Sequence, residues 1–132
     1  MILKTIILVS LTLLLSQTIS GIIDAIKGKR FSINFFTKLG GMPSSHTATT
    51  SALTTAIFFM EGLSPLFLLS FLFTIIVMRD SYGIRYEVGE QAKLLNKKYK
   101  TTFLERVGHT KLEVLAGAAF GILVVCIGFM VF

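Results

Sequence analysis

Charged residues are scarce in this chain: they make up 15% of its 132 residues, where a soluble domain carries about 25%. That scarcity excludes an ordinary water-facing surface, and a mean hydropathy of +0.77 says the same from the other side. Cysteine is nearly absent. Cys126 stands alone, so no intrachain disulfide can form, and its place inside the last apolar run gives it a packing role. Histidine is limited to His46 and His109. There is no internal repeat and no low-complexity segment. A net charge of +6 raises nucleic acid as a partner, but the basic residues sit in short loops between apolar blocks. That placement reads as the positive-inside signal and as contact with anionic headgroups, so no nucleic-acid partner is expected.

What the chain has in abundance is long apolar runs, the signature of membrane helices. Residues 1–132 read as a single integral membrane domain: an all-α helical bundle with about four transmembrane helices. Residues 2–23 form the first. A signal peptide with Lys4 as its basic region and Thr18-Ile19-Ser20 as cleavage site is the competing reading. The basic cluster Lys27, Lys29 and Arg30 directly after it favours a retained helix held by its cytoplasmic end. Residues 24–45 make a basic loop with Asp24 and Lys38, whose aromatic stretch from Phe31 to Phe36 suits the headgroup layer. Residues 46–60 are the second helix, Glu61-Gly62-Leu63-Ser64-Pro65 a tight turn, and residues 66–78 the third helix. Both are short against the roughly 20 residues of a full span. Residues 81–111 are the longest polar stretch, with Glu90 to Tyr99 expected as a short amphipathic surface helix. Lys93, Lys97, Lys98 and Lys100 form its lipid-facing or solvated surface. Residues 112–132 are the fourth helix, with Gly117 and Gly121 spaced as a small-residue packing face.

Four spans put loops 24–45 and 81–111 on one face. They hold nearly every Lys and Arg, so both loops are expected in the cytoplasm and both termini outside. The same arithmetic gathers His46, Arg79, Asp80, Arg85, His109 and Glu113 at one face and one depth.

Each of the two histidines opens an apolar helix. In Gly40-Gly41-Met42-Pro43-Ser44-Ser45-His46 the glycines and Pro43 shape a turn, with Ser44 or Ser45 as N-cap. The first N–H groups of the helix then form an anion cradle beside His46. Gly108-His109-Thr110-Lys111-Leu112-Glu113 repeats the arrangement. Glu113, four residues after His109, is expected on the same helix face, where it would orient the imidazole. A histidine held by a carboxylate can attack phosphorus, a second can protonate the leaving oxygen, and an arginine can clamp phosphate in a fork. Arg85 leads for that clamp and Arg79 follows. Plainer readings stand beside these. Asp80 and Arg85 pair equally well with each other. Glu113 complements a helix dipole, and either histidine satisfies a loop carbonyl. The residues alone support an anion site in a membrane protein and do not name a reaction.

Three stretches resemble a known family. Gly40-Gly41-Met42-Pro43-Ser44-Ser45-His46-Thr47-Ala48 is similar to the signature of the divergent PAP2 family, related to acid phosphatases and vanadium-dependent haloperoxidases. So are Asp80-Ser81-Tyr82-Gly83-Ile84-Arg85 with Gly89-Glu90-Gln91-Ala92 and Leu95-Asn96, and Gly108-His109-Thr110 with Glu113-Val114 and Gly117. With Gln17, the resemblance runs over most of the chain. It implies hydrolysis of a lipid phosphate or similar monoester through a phosphohistidine, with no metal and no other cofactor. Ser44 and Ser45 would bind phosphate with Arg85 and Arg79, His46 would be the general acid, His109 the nucleophile and Glu113 its orienting partner. Asp80 and Gly41 would support the site.

The resemblance also marks departures. Ser20 stands where the family carries a lysine after Gln17, and Lys27, Lys29 or Arg30 would have to substitute. Phe103 stands where PAP2 enzymes carry an arginine six residues before the nucleophile. Typical membrane PAP2 enzymes have six helices, so a homodimer would complete the site. Two readings follow: a membrane phosphatase acting on a lipid or isoprenoid phosphate at the cytoplasmic face, and a non-catalytic protein that binds or moves phosphorylated lipid. A small structural membrane subunit leaves the clustered polar motifs without a purpose.

Overall fold

The computed structural model describes residues 1–28, 41–105 and 108–131, which hold five helices: α1 (Ile2–Ile26), α2 (Ser45–Glu61), α3 (Pro65–Tyr82), α4 (Ile84–Tyr99) and α5 (Lys111–Val131). Local chemistry explains the boundaries. Ser64 caps α3 by accepting the Phe67 N–H at 3.1 Å, and Pro65 takes the first helical position, where a missing N–H costs nothing. Thr110 and Glu113 cap α5 reciprocally: the Glu113 carboxylate accepts the Thr110 N–H at 2.8 Å, and the Thr110 hydroxyl accepts the Glu113 N–H at 3.3 Å. This is a capping box. α1 continues past the expected end at residue 23 because Asp24 turns inward and is buried. The amphipathic helix expected over 90–99 begins earlier, at Ile84, because Gly83 alone separates it from α3. Lys29, Arg30, Phe31 to Phe36, Lys38 and Gly40 lie outside the described residues.

Three helical stretches, starting at Ile2, Pro65 and Lys111, are long and apolar enough to cross a membrane. α2 has 17 residues, a length of about 25 Å against a hydrocarbon core of about 30 Å. It runs through the middle of the bundle and packs against α5, α3 and α1. α2 and α5 are parallel: Ser44 meets Gly117, Ala48 and Ala52 meet Gly121, and Phe59 stacks on Phe129 at 4.9 Å. α1 runs the opposite way, with Thr5 donating to the Met60 sulfur at 3.0 Å at one end and Ser20 against Gly41 at the other. α3 also opposes α2, joined to it by the Thr54–Thr74 hydroxyl pair at 3.0 Å.

The bundle is apolar outside and small or hydroxyl-bearing inside. Leu, Ile and Phe side chains cover the exposed surface of α1, α3 and α5, whereas Ala48, Ala52, Thr12, Ser16, Thr47 and Val125 are fully enclosed. Such an interior suits a lipid solvent, in which apolar side chains gain little by turning inward and close backbone approach supplies the attraction. Some buried hydroxyls bond within their own helices, as Thr12 does on the Leu8 carbonyl at 2.8 Å and Thr74 on the Ser70 carbonyl at 3.0 Å, and others, such as Thr5 and Thr54, bond a neighbouring helix.

Candidate functional site

Chain direction brings four segments to one end of the bundle: the end of α1, Gly41–His46, Ser81–Arg85 across the Gly83 break, and Gly108–Glu113. Backbone hydrogen bonds tie them together. The Ser44 N–H donates to the Glu113 carbonyl at 3.1 Å, and the His109 N–H donates to the Ser81 carbonyl at 3.0 Å. Gly108 presses on the backbone of Arg85 and Tyr86 so closely that a Cβ would overlap it. Lys4, Met60, Glu61 and Phe129 belong to the opposite end.

His109 is 7% exposed. Its Nδ1 lies 3.6 Å from Glu113 Oε2, ion-pair range for an imidazolium and too long for a hydrogen bond. Because the capping box starts α5 at Lys111, His109 precedes the helix and does not share a helical face with Glu113, contrary to the expectation from spacing. The same carboxylate oxygen that faces the imidazole accepts the Thr110 N–H. Glu113 therefore serves both the helix start and His109.

His46 lies in the first turn of α2, outside the three apolar spans, and is exposed. Its pKa is lowered from the usual 6.5. Partial loss of hydration is the largest cause, the nearby Arg85 guanidinium the second, and the Asp80 carboxylate opposes both. Asp80 and Arg85 form an ion pair with Oδ2 and Nε 2.5 Å apart, joining the last turn of α3 to the first turn of α4. The Arg85 side chain is 41% exposed, so the pair can exchange partners with an incoming anion at small cost.

The remaining sequence-derived residues divide. Ser44 occupies the N-cap position of α2 but is fully buried in the seam with α5, its hydroxyl paired with Thr47 at 3.2 Å. Ser45 is the half-buried first residue of α2. Gly41 adopts φ +145 and lies against Ser20 and Asp24, a conformation and a closeness that side chains resist. Arg79 is exposed and one position off the Asp80 direction, and its carbonyl accepts the Gly83 N–H at 2.9 Å. Ser20, at the position of the missing lysine, packs directly on Gly41. Lys27 follows α1 and is exposed, while Lys29 and Arg30 lie outside the described residues. Phe103 is exposed, its backbone held at both N–H and carbonyl by the Asn96 amide at 2.9 and 2.8 Å.

A cleft of about 300 Å³ reaches His109 and is lined by Tyr82, Tyr86, Glu87, Thr110 and Lys111. Sequence reasoning missed Tyr82, Tyr86 and Lys111 as site residues. The Tyr82/Tyr86 spacing of four is a helical-face signal hidden by the Gly83 break, and Lys111 was legible only as part of a motif. The Lys111 ammonium sits 5.9 Å from the Tyr82 ring centroid, which holds the cation over the cleft. His46 is not among the lining residues.

The model of the divergent PAP2 family matches residues 3–124. A relative from Bacillus subtilis (strain 168), the uncharacterized membrane protein YuiD, is 35% identical over an alignment that covers 84% of each chain. No solved structure matches.

Proposed function

This chain belongs to the divergent PAP2 family, and from that premise we propose that it is an integral membrane phosphatase hydrolysing a lipid or isoprenoid phosphate monoester through a phosphohistidine. The observation that carries the reading is the buried imidazole of His109 with a carboxylate oxygen 3.6 Å from Nδ1, at a cleft that Lys111, Glu87 and two tyrosines also line. A carboxylate this near Nδ1 favours the positive charge that develops on the imidazole as Nε2 attacks.

In this mechanism Nε2 of His109 forms the N–P bond as the P–O bond to the lipid alcohol breaks, and the leaving oxygen takes a proton from His46. Water then attacks phosphorus and gives a proton to the now neutral His46, the N–P bond breaks with its electron pair returning to Nε2, and inorganic phosphate leaves with both histidines regenerated. Glu113 stabilises the imidazolium in both steps, and Arg85, released from Asp80, counters charge on the phosphoryl oxygens. The chemistry draws on no metal or cofactor. The loops that flank this end carry the cationic excess, which supports placing it at the cytoplasmic face. A homodimer would add helices around a bundle smaller than that of typical PAP2 enzymes.

A second reading has its own support. Glu113 is engaged in capping α5 and Arg85 in an ion pair, an arrangement that suits binding of phosphorylated lipid without turnover. Phosphate release from a panel of lipid phosphates by purified protein in detergent separates the two. Metal-independent turnover, blocked by orthovanadate and reduced about 10³-fold or more by His109→Ala, is the expected result. Equal inertness of wild type and His109→Ala would leave binding as the function.

A further inference from the structure

We propose that the cleft beside His109 is the phosphate-recognition subsite, with Lys111 as its cationic clamp and the Tyr86 and Tyr82 hydroxyls as its neutral donors. This rests on the phosphatase reading for its substrate class, an anionic phosphate monoester on a lipid, but not on turnover.

Three observations lead there. First, the cleft is lined by both His109 and Lys111, whereas neither His46 nor Arg85 lines it, so Lys111 is the cation among the lining residues that an anion beside His109 can meet. Second, among the described residues the cations expected elsewhere do not line this cleft: Ser20 and Phe103 stand at two of the expected positions, Arg85 lies outside the lining in its ion pair with Asp80, and Lys29 and Arg30 lie outside the described residues. Third, the exposed Lys111 keeps its ammonium on the Tyr82 side of the cleft, 5.9 Å from the ring centroid, within reach of a cation–π contact. Tyr86 is 39% exposed, open enough at the cleft for its hydroxyl to donate to a phosphoryl oxygen.

Glu87 makes the proposal testable by sign. It lines the same cleft, and its carboxylate opposes an anion there while favouring a cation. For a phosphate ligand, removing the charge of Lys111 must weaken binding and removing the charge of Glu87 must tighten it. A cation ligand reverses both.

The experiment measures binding of dioctanoyl phosphatidate to the full-length protein in detergent, in a His109→Ala background so that turnover cannot obscure affinity. Lys111→Gln is expected to weaken binding about tenfold or more, the scale of one charge-assisted hydrogen bond. Lys111→Arg restores it to within about threefold because the charge returns, and Glu87→Gln tightens it severalfold, with unfolding midpoints unchanged by any of the three. The proposal is overturned if Lys111→Gln leaves affinity unchanged, if Lys111→Gln and Glu87→Gln shift it the same way, or if the His109→Ala protein does not bind the lipid at all. Absence of turnover in the wild type would count against the phosphohistidine reading alone and leave this subsite standing on its binding data.

Discussion

The α2–α5 seam and the α3–α4 corner are neighbours built by opposite means. The seam is made of what is missing: Gly117 lets the Ser44 backbone lie on α5, Gly121 admits the Ala48 carbonyl, and Ala52 and Ala56 leave room for Val125. The corner is made of what is added: Asp80, Arg85, Tyr82, Tyr86, Lys111 and Glu113, partly or fully exposed, with Asp80 and Arg85 in an ion pair and Lys111 beside the Tyr82 ring. In lipid the first strategy supplies stability, because close approach of backbones is the attraction that remains when apolar burial is worth little. The second suits the proposed chemistry, because charges at the edge of the bundle keep enough water to change partners. The division teaches where this molecule can be altered without unfolding it.

The comparison breaks hardest at Gly121. A Cβ there would sit inside the Ala48 carbonyl, and backbone cannot swing away as a side-chain tip can. Gly121→Leu is expected to destabilise by about 3 kcal/mol or more, read as loss of cooperative unfolding in detergent. A cost below about 1 kcal/mol would mean that the seam is looser than described.

Glu113 belongs to both regions, and two substitutions pull its roles apart. Thr110→Ala removes one half of the capping box and should cost about 1 kcal/mol of stability, with turnover nearly unchanged. Glu113→Gln costs a similar amount of stability and should also lower turnover at least about tenfold through His109. Equal activity losses in the two variants would make Glu113 a cap and nothing more.

The smallest expected effect is in the corner. As a general acid His46 must be protonated, so the rate should fall as pH rises through its lowered pKa, below the ordinary 6.5. Asp80→Asn removes the one influence that raises this pKa and should move the limb to still lower pH, whereas Arg85→Gln should move it up. The same depression means that the unfolded chain takes the proton first, so acidification below about 6.5 weakens the fold relative to neutral pH. Imidazole titration by NMR checks the shifts, and their opposite signs sharpen the account of the corner.

The helices were largely legible because lipid demands long apolar runs that polar turns must separate. α1, α3 and α5 follow from that alone. The start of α4 was obscured by Gly83, which reads as loop but serves as a one-residue break between two helices. The centrality of α2 was not legible either: it is the least apolar of the four bundle helices, and what fits it for the interior is smallness, at Ala48, Ala52 and Ala56. At the site, alternation of chain direction was enough to bring His46, Asp80, Arg85 and His109 to one end. The relation of His109 to Glu113 was misread from their spacing, although Thr110-Lys111-Leu112-Glu113 spells a capping box that places the helix start after the histidine. Ser44 looked like a phosphate ligand from its motif, and its enclosure in the seam depends on Gly117, distant in sequence.

The central claim is that phosphoryl transfer passes through His109, and rapid-quench trapping tests it most directly. The protein is mixed with a lipid phosphate labelled at phosphorus, stopped in alkali and digested, and the label is mapped. The account predicts a transient alkali-stable, acid-labile phosphoryl group on the peptide containing His109, absent in His109→Ala and formed fast enough to lie on the path of turnover. Turnover without any label on that peptide, or a label carried instead by His46, would contradict it.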